Sequence, residues 1–213
     1  MNRIDVLVAE VPACDVLADV GCDHGNLAAA CLKTGKAKRV ILTDISAPSL
    51  EKAKTLLSDE IEQGLATAVR CDGLCGVTEK PDVVVIAGMG GMEMIHILRS
   101  APFALENLVL SPHKNAPELR AYLVQNGYRI LRDYTITDGG KYYDVIVVCS
   151  GADTLTELQI QFGKTNLVSP TSAFTARIQE ERQSLAGYLE GDLSEKSREK
   201  LLKRKQLLEE IGV

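Results

Sequence analysis

The densest chemistry in the chain lies in Asp19-Val20-Gly21-Cys22-Asp23-His24-Gly25, where an apolar run ends in a turn flanked by acids and an imidazole. Gly21 permits a sharp turn, and Gly25 lets a following helix start close to a ligand. Glycine-rich turns also occur for steric reasons alone, so the acid discriminates. A carboxylate two residues before the first glycine repels a pyrophosphate and attracts a ligand carrying an ammonium and a sulfonium. Asp19 therefore points to S-adenosylmethionine rather than to NAD.

Four further clusters end apolar runs. Asp44 closes Val40-Ile41-Leu42-Thr43-Asp44 and suits the two hydroxyls of a ribose, with a helix N-cap as the alternative. Asp72-Gly73 offers an acceptor for an adenine amino group or forms a simple turn. Ala87-Gly88-Met89-Gly90-Gly91-Met92 exposes backbone to anything bound above it, unless packing alone demands the glycines. Ser111-Pro112-His113-Lys114-Asn115 places polar groups on the same rim, or is a Pro-initiated loop with a capping Asn115.

These clusters need elements to hold them. Short apolar runs at 16–20, 39–44, 66–71, 82–87 and 107–111 read as parallel strands, with helices near 25–35, 46–58, 90–100 and 115–126 between them. The β-rich segments 128–136 and 142–149, separated by Thr137-Asp138-Gly139-Gly140-Lys141, predict a hairpin. The fold class is thus a doubly wound, Rossmann-like α/β sheet whose final strand is antiparallel, with all five clusters at the carboxyl ends of parallel strands. After residue 150 a connector ends at Pro170. Two helices of about 18 residues follow. Phe174, Ile178, Leu185 and Leu189 line the first and Leu201, Leu208 and Ile211 the second, with Gly191-Asp192 as the turn. The domains are expected at 1–152 and 153–213.

Composition narrows the class. With 46% apolar and 25% charged residues the chain is globular, and its 213 residues hold no run near the roughly 18 apolar residues of a membrane span. A cytoplasmic protein is expected. The six cysteines form no CxxC pair, so reduced thiols are expected and a metal is not. The net charge of -5 counts against nonspecific nucleic-acid binding, yet Lys196, Arg198, Lys200, Lys203, Arg204 and Lys205 concentrate basic charge near the C-terminus.

With these residues in view, the chain resembles the TrmK family of bacterial tRNA adenine-22 N1-methyltransferases. The likeness includes Arg3, the Asp19 to His24 segment, Ile86-Ala87-Gly88-Met89-Gly90-Gly91 and Gly140-Lys141-Tyr142-Tyr143-Asp144. It implies a seven-stranded methyltransferase domain bound to S-adenosylmethionine, followed by a helical coiled-coil domain that helps hold tRNA. It also implies cofactor contacts at Asp19, Gly21, Gly25, Asp44, Ile45, Asp72, Gly73, Ala87, Gly88, Met89 and Gly90. Three segments depart from the family: Gly25-Asn26-Leu27-Ala28 in place of Ala-Tyr-Leu-Pro, Ser111-Pro112-His113 in place of Gln-Pro-Asn, and Gly163-Lys164-Thr165-Asn166-Leu167 in place of Gly-Pro-Phe-Leu.

Transfer to adenine N1 needs alignment more than a strong base. Asp23 is the candidate acceptor from the N6 amino group, with His24 orienting it or capping a helix. Substrate contacts are expected from Arg3, Ser111, Pro112, His113, Lys141 and Tyr143, and from Lys196, Arg198, Lys200, Lys203 and Arg204. Tyr142 and Lys114 are further candidates. The rivals are a methyltransferase for a small molecule or protein and a cofactor-binding module without catalysis.

Overall fold

The computed structural model describes residues 2–191 and 193–212. At its centre lies a seven-stranded sheet in the order β3-β2-β1-β4-β5-β7-β6. Its strands are β1 (Cys14–Val20), β2 (Ala37–Asp44), β3 (Ala66–Arg70), β4 (Val83–Ala87), β5 (Asn107–Ser111), β6 (Tyr128–Asp138) and β7 (Lys141–Ser150). The first five are parallel, and β7 runs antiparallel to both β5 and β6. Val83, Val84, Val85 and Ile86 are all buried, as a strand covered by helices on both faces requires.

On one face lie α1 (Arg3–Glu10), α2 (Asn26–Lys33) and α3 (Ala47–Leu56), packed over Leu17, Leu42 and Val85. On the other, α5 (Gly91–Ser100) and α6 (Ala116–Gln125) cover Ala18, Val84 and Ile86. Strand order reverses at β1, which pairs with β2 on one side and β4 on the other. At such a switch point neighbouring crossovers diverge, leaving a crevice beyond the strands' carboxyl ends.

Three segments differ from the sequence reading. The helix α1 is new; Asn2 caps it, accepting from the Asp5 amide while Asp5 accepts from the Asn2 amide. The helix expected over 46–58 breaks at Leu57, and a short α4 (Ser58–Glu62) completes it. The expected connector before Pro170 instead contains α7 (Glu157–Phe162) and α8 (Lys164–Val168), which bury Phe162 and Asn166. The Asn166 amide joins the sheet, accepting from the Thr135 amide at 3.0 Å and donating to Thr135 Oγ1 at 3.1 Å. Thr165 Oγ1 likewise accepts from the Asp133 amide at 2.9 Å, so side chains of the short segment pair with the backbone of β6 and the segment packs as a wedge.

Two long helices follow, α9 (Ser172–Leu189) and α10 (Glu195–Glu209), 18 and 15 residues long. Phe174, Ile178, Leu185, Leu208 and Ile211 form their shared core with Phe162. Ile211 is buried from beyond the end of α10. Of the expected turn, Gly191 is exposed and Asp192 lies outside the described residues.

Beneath α9 sits a buried charge cluster. Arg120 of α6 is 1% exposed and donates to both Asp133 oxygens at 2.6 and 2.9 Å, with Asp144 at 3.6 Å. Arg177 of α9 donates to both oxygens of Asp144 at 3.1 and 3.2 Å. Two acids and two guanidiniums thus balance where single buried charges would be costly.

Candidate functional site

The turn after β1 is held open by backbone geometry. Gly21 has φ +69°, and its N–H donates to the Thr43 carbonyl of β2 at 2.8 Å. A side chain at Gly21 is disfavoured by that conformation, and its Cβ would displace the Met89 methyl group, 2.3 Å away. Asp23 takes the left-handed conformation without being glycine, with φ +47°. Asp44 braces that conformation: its Oδ2 accepts from the Asp23 amide at 3.1 Å and its Oδ1 from the Ser46 amide at 2.8 Å. Ser46, not Asp44, is the N-cap of α3. The carboxylate of Asp44 keeps lone pairs beyond these two bonds, as a pair of ribose hydroxyls would need.

Behind the turn a cleft of about 350 Å³ opens over the switch point. Its floor is Asp19, 5% exposed, whose Oδ2 is buried without a hydrogen-bond partner. Burial pushes the Asp19 carboxyl up to about 7; a bond from the Ala28 backbone opposes the shift, and nearby Asp44 adds to it. A buried acceptor with nothing to accept from is costly, and a ligand ammonium would satisfy it. The residues present therefore fit S-adenosylmethionine, whose ammonium answers Asp19 and whose ribose answers Asp44.

Ala87 and Gly88 form the wall from β4. The rest of that glycine-rich segment serves packing. A Cβ at Gly91 would lie 2.3 Å from the Asn115 carbonyl oxygen, and the Gly91 amide donates to the Lys114 carbonyl at 2.8 Å. The loop after β5 is thereby strapped to the start of α5, and the His113 amide donates to the Met89 carbonyl at 2.9 Å.

At the cleft mouth, three side chains from distant segments meet. Arg3 donates to His113 Nε2 at 3.0 Å, which leaves the imidazole proton on Nδ1. The same guanidinium lies 4.6 Å from the centre of the Tyr143 ring, and the His113 and Tyr143 rings are 5.6 Å apart. Burial holds the His113 pKa below the usual imidazole range, and the charges of Arg3 and Lys141 lower it further. Across the cleft, His24 Nδ1 lies 2.8 Å from Asp23 Oδ2, both side chains solvent-accessible.

Asp19, Gly21, Asp23, His24, Ala87, Gly88, Arg3 and His113 are thus brought to one cleft. Gly25 starts α2, and Met89 closes against Gly21. Ile45 is 68% exposed beside Asp44. Asp72, Gly73, Gly90, Ser111 and Pro112 do not line the cleft; Asp72 faces His96 at 3.9 Å, and the Ser111 carbonyl accepts from Gly88. Lys141 is exposed at the hairpin, as are Lys196, Arg198, Lys200 and Lys203 on α10. Arg204 of that run is engaged inside the helical pair, bidentate to Glu181 at 2.6 and 3.0 Å. Of the two tyrosines, Tyr143 meets the cleft group, whereas Tyr142 donates to Glu180 of α9.

Sequence reasoning missed Ile4, Leu7, Cys22 and Leu27 as lining residues. The spacing of Ile4 and Leu7 on one side of a capped helix was the available signal. Asn26, where the chain departs from the resembling family, also lines the cleft.

Comparison with known proteins adds to this geometry. A family model described as a methyltransferase domain matches residues 1–146. A Mycoplasma pneumoniae protein, provisionally named a tRNA methyltransferase, is 35% identical over 130 residues, 61% of each chain. The tRNA (adenine(22)-N(1))-methyltransferase of Bacillus subtilis is 28% identical over 154 residues, 70% of this chain and 65% of that one. The matches therefore span just under two thirds of these curated relatives. Among solved structures, a Streptococcus pneumoniae protein in complex with S-adenosyl-L-methionine superposes with a TM-score of 0.88 at 25% identity, covering 99% of both chains.

Proposed function

Because the chain belongs to the methyltransferase-domain family, we propose that it is a TrmK-type enzyme that methylates N1 of adenine 22 in tRNA, with S-adenosylmethionine as donor. The observation that carries this reading is the buried Asp19, whose Oδ2 lacks a hydrogen-bond partner, at the floor of a cleft walled by Asp23 and His24. The Bacillus subtilis relative, named for this base and position, supports the choice of substrate.

S-Adenosylmethionine, when bound, supplies an electrophilic methyl group on a sulfonium. Asp19 holds its ammonium, and Asp44, fixed by two backbone amides, holds its ribose. Adenine N1 brings its own lone pair, so the chain's task is to align that lone pair with the methyl group. Asp23 accepts from the N6 amino group, which raises the electron density at N1 and steadies the charge that develops on the ring. His24 orients the Asp23 carboxylate through their 2.8 Å contact. Arg3, His113 and Tyr143 receive the unstacked base at the mouth, offering one guanidinium and two ring faces for stacking.

Residues 1–152 act as the methyltransferase domain, and 153–213 hold the tRNA through the exposed basic side chains of α10. The enzyme works in the cytoplasm, with its substrate. The test is the identity of the product. Unmodified tRNA treated with the protein and S-adenosylmethionine, then digested to nucleosides, should yield 1-methyladenosine by mass spectrometry. N6-methyladenosine, or no methylated nucleoside, would overturn the reading.

A further inference from the structure

Three consecutive residues of β7 divide between two neighbours. Side chains alternate across a strand, so Tyr143 points to one face while Tyr142 and Asp144 point to the other. Tyr143 meets Arg3 and His113 at the cleft mouth. Its two flanking residues are both gripped by α9. The Tyr142 hydroxyl donates to Glu180 Oε1 at 2.6 Å, and Arg177 donates to both Asp144 oxygens. Arg177 and Glu180 lie three apart, on one side of the helix. The Thr171 hydroxyl at the N-cap of α9 donates to the Thr135 carbonyl at 2.7 Å, and Thr135 Oγ1 in turn donates to Asp144 at 3.0 Å.

We infer that Arg177 and Glu180 are positioning residues for methyl transfer: by gripping Asp144 and Tyr142, α9 sets the place of Tyr143 at the cleft mouth. The inference rests on the tRNA methyltransferase reading for its consequence. In that reading the helical pair that carries the basic side chains is tied to the very residue that meets the base, so engagement of tRNA on the helices bears on the cleft. Strand geometry supplies the transmission, because residues 142–144 are consecutive in β7 and in register with Thr137, Ile136 and Thr135 of β6, so 142 and 144 cannot shift while leaving 143 in place.

The test uses the full chain with Tyr142→Phe, Arg177→Gln and Arg177→Lys. Tyr142→Phe removes one exposed hydroxyl and leaves the core packing intact, so it reports on the grip even if Arg177→Gln fails to fold. The chain has only three histidines, so the His113 imidazole signals can be resolved by NMR. The grip predicts that Tyr142→Phe and Arg177→Gln move the His113 signals, and that Arg177→Lys returns them toward wild type. It also predicts a single-turnover rate at saturating tRNA lowered about tenfold by Arg177→Gln, with tRNA affinity changed less than about twofold. His113 signals identical to wild type in Tyr142→Phe and in the folded Arg177 variants would overturn the inference. So would a loss confined to tRNA affinity with the saturated rate unchanged. Wild-type protein that methylates no tRNA would instead overturn the function reading, and the NMR arm would still decide the grip.

Discussion

Asp19 joins the cofactor reading to a measurable proton. Its carboxyl rises to about 7 in the folded chain from an ordinary 3.8. Between those values the folded state binds more protons than the unfolded state, so Asp19's contribution to stability is present below the ordinary value and lost as pH rises through about 7. A bound ammonium favours the ionised form, so binding near pH 6 should release a proton, and affinity should climb with pH up to about 7. Calorimetry in buffers of different ionisation enthalpy measures that release. Asp19→Asn should lower cofactor affinity roughly 10- to 100-fold, the scale of a charge-assisted hydrogen bond, and abolish the pH slope. Unchanged affinity and slope in the variant would remove Asp19 from the site.

At this scale the sequence was most readable where one residue type had one physical reason. Asp19 before Gly21 signalled a cationic ligand because the acid is wrong for a phosphate. Asp44 reads as a ribose acceptor or an N-cap, and Ser46 proves to be the cap; its support of Asp23 is hidden, since nothing in the order of residues brings the Asp23 amide to it. His113 was placed on the rim, while its partners Arg3 and Tyr143 stand 110 and 30 positions away and meet it only through the sheet.

Among the elements, the strands are readable from continuous apolar runs, buried on both faces in β1, β4 and β5, and the crossover helices from the one apolar face each buries. The pieces that escaped are short or polar. The helices α7 and α8, with six and five residues, are too brief for a 3.6-residue period to show. Arg120 on α6 looks like a solvated cation in sequence, and Asp133 and Asp144 from the hairpin, with the Ile160 carbonyl of α7, explain its burial. Removing it should expose how far the hairpin and wedge depend on that cluster. Arg120→Met leaves Asp133 without its guanidinium and should cost about 3–5 kcal/mol, read as a lower urea midpoint. A midpoint equal to wild type would mean that the cluster is neutral to stability.

Taken whole, the molecule keeps the exposed basic side chains of α10 away from its cleft. Its net charge is -5, yet Lys196, Arg198, Lys200 and Lys203 stand exposed on α10, apart from the cleft at the carboxyl ends of β1, β4 and β5. The distribution suits a large anionic substrate held at one place and modified at another, with α9 linking the two through β7. The departures at Asn26 and His113 lie in the cleft and not on α10, so under the proposed function they would bear on the base rather than on the tRNA backbone. The most direct measurement is transfer of a labelled methyl group from S-adenosylmethionine to an unmodified tRNA transcript and to the same transcript with guanine at position 22. The account predicts label in the first and none in the second. Equal labelling of both would contradict it.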